Sequence, residues 1–183
     1  MDQEKIILGI DPGTMVMGYG VIREQGKKIE LLTMGVINLK KLANQALKLK
    51  KIFERVLEII NEYHPDELAI EAPFFGKNVQ SMLKLGRAQG AAIAAGLQRT
   101  IPIFEYAPRK VKLAITGNGA ASKEQVAAML QKLLKIEELP EKLDATDAIA
   151  IAMCHYYQKG SIVSGESPCK SWKEYAAKKG IKV

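Results

Sequence analysis

Four acidic residues stand at positions where a carboxylate could take part in chemistry. Asp11 and Glu71 each follow directly on a short apolar run of the kind that forms a buried strand. Open α/β sheets bind their ligands at the carboxyl ends of such strands. Asp144 and Asp147 are three residues apart on a predicted helix, so their side chains share one face. The sequence therefore offers four carboxylates that one end of a sheet could bring together.

Divalent cations are the partners that such a set of acids would favour. Four carboxylates would repel one another without a counter-ion, and Mg²⁺ prefers hard carboxylate oxygens. Two such ions close together can activate a water molecule and stabilise the leaving oxygen of a phosphodiester. The histidines, His64 and His155, show no zinc-type spacing, and we expect them at the surface or at a helix end.

Each acid taken alone also fits an ordinary structural role. Asp11 begins an Asp-Pro-Gly turn, and Glu71 is compatible with a solvated strand residue. Two acids in the first turn of a helix, such as Asp144 and Asp147, are a common structural feature. Spacing along the chain leaves both interpretations open, so the chemical hypothesis depends on whether the four residues converge in the fold.

Size and charge indicate one basic domain. The chain has 183 residues, and its net charge of +7, from 27 basic and 20 acidic residues, favours a polyanionic partner such as nucleic acid. No apolar run approaches the ~18 residues of a membrane-spanning helix. Two cysteines are too few for a disulfide framework. These features predict a cytoplasmic protein that does not interact with a membrane.

Hydrophobic periodicity predicts the elements that would position the four acids. Three strands joined by short turns form an antiparallel meander, and two later strands alternate with helices. This order predicts an α/β fold with a five-stranded mixed sheet and helices on both faces. Residues 1–157 would form this domain, and residues 158–183 a basic, flexible extension. The predicted strands are 5–10, 18–23, 29–37, 67–72 and 101–106, and the predicted helices are 40–62, 79–98, 122–134 and 141–157, while the stretch 107–121, with Gly117 and Gly119, includes a loop.

Four motifs follow one another in the order found in a known family. They are Ile7–Thr14 with Gly18-Tyr19-Gly20, then Ala69-Ile70-Glu71 with Pro73-Phe74-Phe75 and Lys77-Asn78, then Leu83–Gly90, and finally Asp144–Ala148. With these motifs, residues 5–157 resemble RuvC, the family of bacterial Holliday-junction resolvases. The resemblance implies an RNase H-like fold. It also implies an endonuclease that cuts four-way DNA junctions by paired symmetric nicks, in recombination and DNA repair.

The resemblance assigns a metal site to the four acids. It implies that Asp11, Glu71, Asp144 and Asp147 are both catalytic residues and the ligands of Mg²⁺ or Mn²⁺, with two ions in each active site. This assignment agrees with the chemistry that the residue types suggest by themselves, because carboxylates and hard divalent cations suit phosphodiester hydrolysis.

The resemblance also indicates which residues contact DNA. Phe74 matches the family's aromatic residue at the junction centre, where a ring could stack on exposed bases or wedge between them. Lys112 and Lys123 match basic positions that would stabilise negative charge near the scissile phosphate. Any one of these residues also fits a simpler role, a core phenylalanine or a solvated lysine. The residues expected to contact the DNA are Phe74, Lys77, Arg109, Lys110, Lys112 and Lys123.

Small residues on the predicted helix 79–98 would let another helix pack closely. Gly86, Gly90 and Ala94 recur at steps of four. The resemblance suggests a dimer interface here, whereas packing against the protein's own sheet is the alternative. A twofold homodimer suits a junction that is itself twofold symmetric and needs two cuts. The same resemblance implies the RuvA–RuvB branch-migration complex as a partner.

Three other functions remain compatible with parts of the sequence. The segment Gly9–Thr14 also resembles the first phosphate loop of actin-like ATPases and sugar kinases, although those proteins need two such domains around a nucleotide. A non-catalytic DNA-binding module would use the basic residues but would not need four acids near DNA. A related nuclease of the same fold could act on RNA, which the surroundings of Phe74 and the helix 79–98 disfavour.

Overall fold

A five-stranded sheet forms the centre of the fold. The computed structural model describes residues 4–26, 28–73, 78–137 and 143–162, and all of the following elements lie in these ranges. The strands are β1 (Glu4–Asp11), β2 (Val16–Gln25), β3 (Lys28–Asn38), β4 (Glu67–Glu71) and β5 (Ile103–Tyr106). The helices are α1 (Gln45–Tyr63), α2 (Val79–Gln98), α3 (Pro108–Thr116), α4 (Lys123–Leu134) and α5 (Asp144–Ile162).

The order of the strands brings the ends of β1 and β4 together. The sheet has the order β3-β2-β1-β4-β5, in which β1 pairs antiparallel with β2 and parallel with β4. The β2–β3 pair is antiparallel and the β4–β5 pair is parallel. The carboxyl ends of β1, β4 and β5 therefore lie at one edge, and Asp11 and Glu71 are the last residues of β1 and β4. This topology confirms the predicted mixed sheet with its antiparallel trio.

Helices cover both faces of the sheet, as predicted. On one face α1 and α2 pack on a core that includes Ile52 and Leu68. On the other face α3, α4 and α5 pack on a core that includes Val111 and Ile149. Among the described helices, none combines the length and the apolar character that crossing a membrane requires.

Two glycines allow α5 to lie directly on β1 and β2. A Cβ added at Gly9 would lie 2.1 Å from the carbonyl oxygen of Ala148, and one added at Gly18 would lie 1.9 Å from that of Asp144. Both distances are far shorter than the 3.5–4.0 Å of ordinary contact between heavy atoms. Neither position can therefore carry a side chain without moving the helix. The close approach places the first turn of α5 beside the end of β1.

The stretch 107–121, predicted to include a loop, begins with a helix that the sequence did not predict, α3, and then contains a loop before α4. Pro108 is in the first turn of α3, where the missing N–H has no helical partner to lose, and Gly117 follows its last turn with φ of 73°. Val111 and Ile115, one turn apart, are buried. Gly117 and Gly119 indicated a loop, and Gly117 begins it, because its left-handed backbone ends the helix.

Other element bounds differ from the prediction by a few residues. The helix α1 begins at Gln45 rather than at 40, because the Asn44 side chain accepts a hydrogen bond from the N–H of Leu47 and caps the helix there. The strand β5 begins at Ile103 rather than at 101. The last helix, α5, covers Asp144–Ile162 rather than 141–157.

His155 is buried, so the expectation that it lies at the surface or at a helix end was wrong. It is 1% exposed, and its Nε2 and Nδ1 lie 2.7 Å from Glu67 Oε2 and 2.5 Å from the Tyr106 hydroxyl. A neutral imidazole satisfies both contacts by donating through Nε2 and accepting at Nδ1. Lys5 binds the other oxygen of the Glu67 carboxylate at 2.5 Å. This chain of contacts connects α5 to three strands and helps to hold the helix that carries two of the acids.

We expect the fold to lose stability when His155 is forced to ionise. Burial and, after it, the charge of Lys5 lower the pKa of His155 from 6.5 to about 4. At His155 the unfolded chain binds more protons between these two values, so the contribution of His155 to stability falls as the pH drops from 6.5 towards 4. The loss should reach roughly 2–3 kcal/mol. Thermal melting of the wild type and of His155→Gln across this pH range measures it, and equal acid slopes would contradict the explanation.

Candidate active site

Three of the four acids form a tight cluster at the edge of the sheet. Asp11 ends β1, and Asp144 and Asp147 lie in the first turn of α5. One carboxylate oxygen of each residue lies within 4.8 Å of those of the other two, and all three residues are half-buried. Oxygens at this spacing could surround one divalent cation. The convergence that spacing along the chain left open is therefore present in the fold.

Glu71 lies on the wall of the same site. It ends β4, the neighbour of β1, and lines a cleft of about 210 Å³ together with Asp11 and Asp147. Lys112 from α3 and Lys123 from α4 line this cleft as well. The four acids and these two lysines, which are far apart in the sequence, thus belong to one site.

Burial and mutual repulsion make it costly to ionise all the acids of the cluster together. Burial, followed by the charges of Glu71 and Asp147, raises the pKa of Asp11 from 3.8 to about 8. Burial, followed by the charge of Asp147, raises the pKa of Glu71 from 4.5 to about 7. A bound divalent cation would reverse both effects, because it places positive charge where these carboxylates meet. These carboxylate oxygens are hard ligands, and nearby positive charge would stabilise their ionised form. They therefore fit a divalent cation.

Lys123 is the cation that the protein itself places among these acids. Its Nζ contacts the carboxylate of Asp147 and lies 3.9 Å from Asp144 Oδ1. Burial lowers the pKa of Lys123, but the hydrogen bond and charge of Asp147 outweigh burial and raise the pKa above 10.5. The ammonium group is therefore charged at neutral pH and offsets part of the repulsion within the cluster.

Two hydrogen-bond contacts that support the site could not be predicted from the sequence. Lys48 of α1 donates from Nζ to the carbonyl oxygen of Thr14 at 3.1 Å, which holds the loop after β1. Gln89 of α2 donates from Nε2 to the backbone carbonyl of Glu71 at 3.2 Å and to Glu105 Oε2 at 2.8 Å. Each contact joins segments that are distant in sequence, so only the fold reveals it.

Arg109 and Lys110, which were also predicted to contact DNA, are not among the described residues that line the cleft. Arg109 and Lys110 are exposed on α3, and Lys110 Nζ lies 5.4 Å from the centre of the Tyr106 ring. They belong to the same helix as Lys112, so the cleft and these exposed charges are adjacent in the fold. Phe74 and Lys77 lie outside the described residues.

The small residues of α2 do not pack against the protein's own sheet, so that alternative was wrong. Among the described residues, no atom lies within 4 Å of a Cβ added at Gly86 or Gly90, and Ala94 is exposed. The buried side of α2 consists of other residues, including Ala88 and Ala92. Within the described part of the chain, this stripe is therefore not covered by the protein's own sheet.

The fold and the position of the acids define a class of protein. A mixed sheet of this order, with carboxylates at the ends of β1 and β4 and on the helix packed across them, is that of an RNase H-like nuclease. The family model described as crossover junction endodeoxyribonuclease RuvC matches residues 7–155. The chain belongs to the RuvC family, which confirms the resemblance seen in the sequence.

Individual relatives support this membership over nearly the whole chain. A crossover junction endodeoxyribonuclease RuvC of Bacteroides fragilis is 61% identical over 183 residues, covering 99% of this chain and 97% of the relative. That of Cytophaga hutchinsonii is 63% identical over 159 residues, covering 87% and 80%. The structure of Thermus thermophilus RuvC in complex with a Holliday junction substrate matches with a TM-score of 0.79 at 34% identity, covering 86% of this chain and 97% of that chain. These matches confirm the RNase H-like fold and the endonuclease class.

Proposed function

We propose that this protein resolves four-way DNA junctions, as a homodimer that introduces paired symmetric nicks by metal-dependent hydrolysis. The observation that carries the proposal is the cluster of Asp11, Asp144 and Asp147, with Glu71 in the same cleft. Membership of the RuvC family and the solved relative in complex with a junction support this substrate. Recombination and DNA repair are the processes to which we assign it, and the cytoplasm, where bacterial chromosomes lie, is the compartment.

Mg²⁺, with Mn²⁺ as a substitute, is the cation that we assign to the four carboxylates. Hard oxygen donors in a partly open cleft suit a cation that keeps part of its water shell. Two ions, when bound, supply an activated water and stabilise charge on the leaving oxygen. Asp11 and Glu71 would ligate from neighbouring strands, and Asp144 and Asp147 from α5. Ligands on rigid elements hold their geometry better than ligands on loops.

Lys112 and Lys123 would stabilise the charge of the reacting phosphate. Both line the cleft, and Lys123 is held there by its contact with Asp147. An ammonium fixed near the scissile phosphate favours the negative charge that develops in the transition state. Arg109 and Lys110, exposed beside this cleft on α3, would hold the DNA backbone without reading its sequence.

Segments that lie wholly or largely outside the described residues would complete the DNA-binding surface. Phe74 follows Glu71 by three residues, and we assign it to stacking or wedging at the junction centre. Lys77 would contact the backbone. Residues 158–183, a basic extension of the domain 1–157, carry six lysines and two glutamates and would strengthen salt-sensitive binding.

The exposed face of α2 is the homodimer interface that we propose. Glycine and alanine at 86, 90 and 94 leave room for a second helix, and large apolar residues extend the same face at both ends. These exposed residues are Val79 (64%), Leu83 (52%) and Leu97 (59%). A twofold partner would remove this apolar surface from water and would give two active sites to a twofold substrate. The RuvA–RuvB complex is the further partner that we expect.

Gly90→Glu should dissociate the dimer without unfolding the subunit. Gly90 is exposed, and a Cβ there would meet no described atom within 4 Å, so we expect the monomer to tolerate the glutamate. Across a twofold axis, two such charges would face each other in an apolar interface. Light scattering after gel filtration should show a monomer, while Ser81→Glu, an exposed position of α2 off this face, should remain dimeric. A dimeric Gly90→Glu protein would exclude this interface.

Cleavage of a synthetic mobile four-way junction tests the proposed function. Labelled junction, linear duplex and RNA of matched sequence would be incubated with the protein in the presence and absence of Mg²⁺. We expect paired nicks at symmetric positions of the junction only, and only with the metal. Binding without cutting in Mg²⁺ or Mn²⁺ would contradict the catalytic proposal, and cutting of duplex or RNA instead would contradict the proposed substrate.

A further inference from the structure

Gln89 is a buried polar side chain next to the active site that takes no direct part in the proposed chemistry. It is 6% exposed and lies on the sheet side of α2. A buried amide needs hydrogen-bond partners, because burying it unpaired destabilises the fold. Both acceptors of Gln89, the Glu71 carbonyl and the Glu105 carboxylate, lie at the edge of the sheet where the strands β4 and β5 end.

The hydrogen bond from Gln89 lies just beyond the point where the pairing between β1 and β4 ends. The register between β1 and β4 ends at Ile10 and Ile70, so the Glu71 carbonyl lies one residue beyond the last pair on that side. On the side of β4 that faces β5, the N–H of Ala72 still donates to the carbonyl of Tyr106 at 2.9 Å. The side chain of Gln89, 3.2 Å from the Glu71 oxygen, therefore supplies the donor that β1 no longer provides.

We infer that Gln89 is a positioning residue for Glu71, an inference that rests on the proposed role of Glu71 as a metal ligand. The carboxylate of Glu71 lines the active-site cleft, while its backbone carbonyl is held by α2. Fixing the backbone at this residue fixes the direction in which the carboxylate leaves the strand. Contacts that orient a metal ligand in this way typically change metal affinity or activity by about 10–100-fold when they are lost.

Gln89 also connects the metal site with the proposed dimer interface. It is adjacent in sequence to Gly90 and one turn from Gly86, the two glycines on the outer face of α2. The inner face of the same turns carries the amide that holds Glu71. The helix that a second subunit would contact thus determines where one of the four carboxylates lies.

Gln89→Met separates the hydrogen bonds from the packing of this side chain. Methionine is close to glutamine in length and volume but has no N–H donor. Only about 10 Å³ remains free between Gln89, Glu71, Pro12 and Pro73, so little room exists for a water that could replace the amide. Gln89→Lys introduces a side-chain N–H donor at the same position. Gln98→Met, at an exposed position of the same helix, is the matched control.

The test measures metal binding as well as cleavage. Mn²⁺ affinity without DNA is measured by calorimetry, and single-turnover nicking of a four-way junction is followed over a range of Mg²⁺ concentrations. For Gln89→Met we expect at least about 10-fold weaker Mn²⁺ binding and a matching rise in the Mg²⁺ concentration for half-maximal rate, with unchanged junction affinity. Gln89→Lys should recover most of both, and Gln98→Met should equal the wild type.

Several outcomes would overturn the inference. Wild-type Mn²⁺ affinity in Gln89→Met excludes a positioning role, and so does a Gln89→Lys protein that regains thermal stability but not metal affinity. Unchanged Mn²⁺ binding in Glu71→Gln would show that Glu71 is not a metal ligand, and this result would overturn the inference about Gln89. If the wild type binds Mn²⁺ but does not cut junctions, the proposed substrate fails, while the calorimetric comparison still decides the role of Gln89.

Discussion

Asp11→Asn should abolish cleavage of a four-way junction and yet leave a folded protein that binds it. Asp11 lies within 4.8 Å of both aspartates of α5, and the amide keeps its shape while removing the charge that holds a divalent cation. We expect the single-turnover rate to fall at least about 10³-fold, which corresponds to ~4 kcal/mol of transition-state stabilisation. Nicking of labelled junction at saturating Mg²⁺ measures the rate, and gel shift without metal measures binding.

The same substitution should stabilise the metal-free protein. Burial and neighbouring acids raise the pKa of Asp11 from 3.8 to about 8, so the folded state binds its proton more tightly than the unfolded state. The contribution of Asp11 to the stability of the metal-free wild type therefore falls as the pH rises through this window. Asn carries no charge at any pH and should gain at least about 1 kcal/mol at pH 8. The gain should fade below pH 4, where both side chains are neutral.

Asp66→Asn is the matched control for both measurements. Asp66 lies at the opposite end of the sheet, where its Oδ2 accepts a hydrogen bond from the N–H of Ile6 at 2.8 Å. An asparagine can accept the same bond, so cleavage should be unchanged. An Asp11→Asn protein that cuts within 10-fold of the wild type would exclude Asp11 as an essential ligand. A lower melting temperature at pH 8 without metal would contradict the electrostatic explanation.

The strand ends of the active site could be predicted because local patterns determine them. An apolar run followed by an acid identified both Asp11 and Glu71, and parallel pairing brings such ends to one edge. Predicting that the aspartates of α5 join this site required one more fact, namely that the helix packs closely on the sheet. Gly9 and Gly18 permit this approach. Both were visible in the sequence, but a glycine in a strand does not by itself indicate which element lies against it.

Residues whose role depends on long-range contacts could not be predicted. Gln89 contacts Glu71 across 18 residues, and Lys48 contacts Thr14 across 34, so no periodicity connects them. His155 is a different case, because it lies in a helix that is apolar on most sides. That pattern is typical of a buried helix, and it outweighs the usual preference of histidine for partly exposed positions. Its partner Glu67, 88 positions away, removes the cost of burying the ring's polar atoms.

Lys123→Met should change metal affinity and cleavage in opposite directions. In the metal-free protein the ammonium group contacts Asp147 and lies 3.9 Å from Asp144 Oδ1, where it competes with a divalent cation for their oxygens. Removing it should raise Mn²⁺ affinity, measured by calorimetry, by about 2–5-fold, the range expected for a half-exposed ion pair. Cleavage should fall about 10²-fold at saturating metal, because the positive charge beside the phosphate is lost.

The opposite changes in Mn²⁺ affinity and cleavage rate distinguish two roles of Lys123. A measurement of cleavage alone would not separate these roles. If Lys123 merely held Asp144 and Asp147 in place for the metal, its removal would weaken Mn²⁺ binding, and extra metal would restore cleavage. If it acts on the phosphate, metal binds at least as well and no metal concentration restores the rate. Lys132→Met, an exposed lysine in the last turn of the same helix, should change neither quantity. The Lys123 ammonium would then have two roles. It offsets the negative charge of the acids before the metal binds, and it stabilises the phosphate during cleavage.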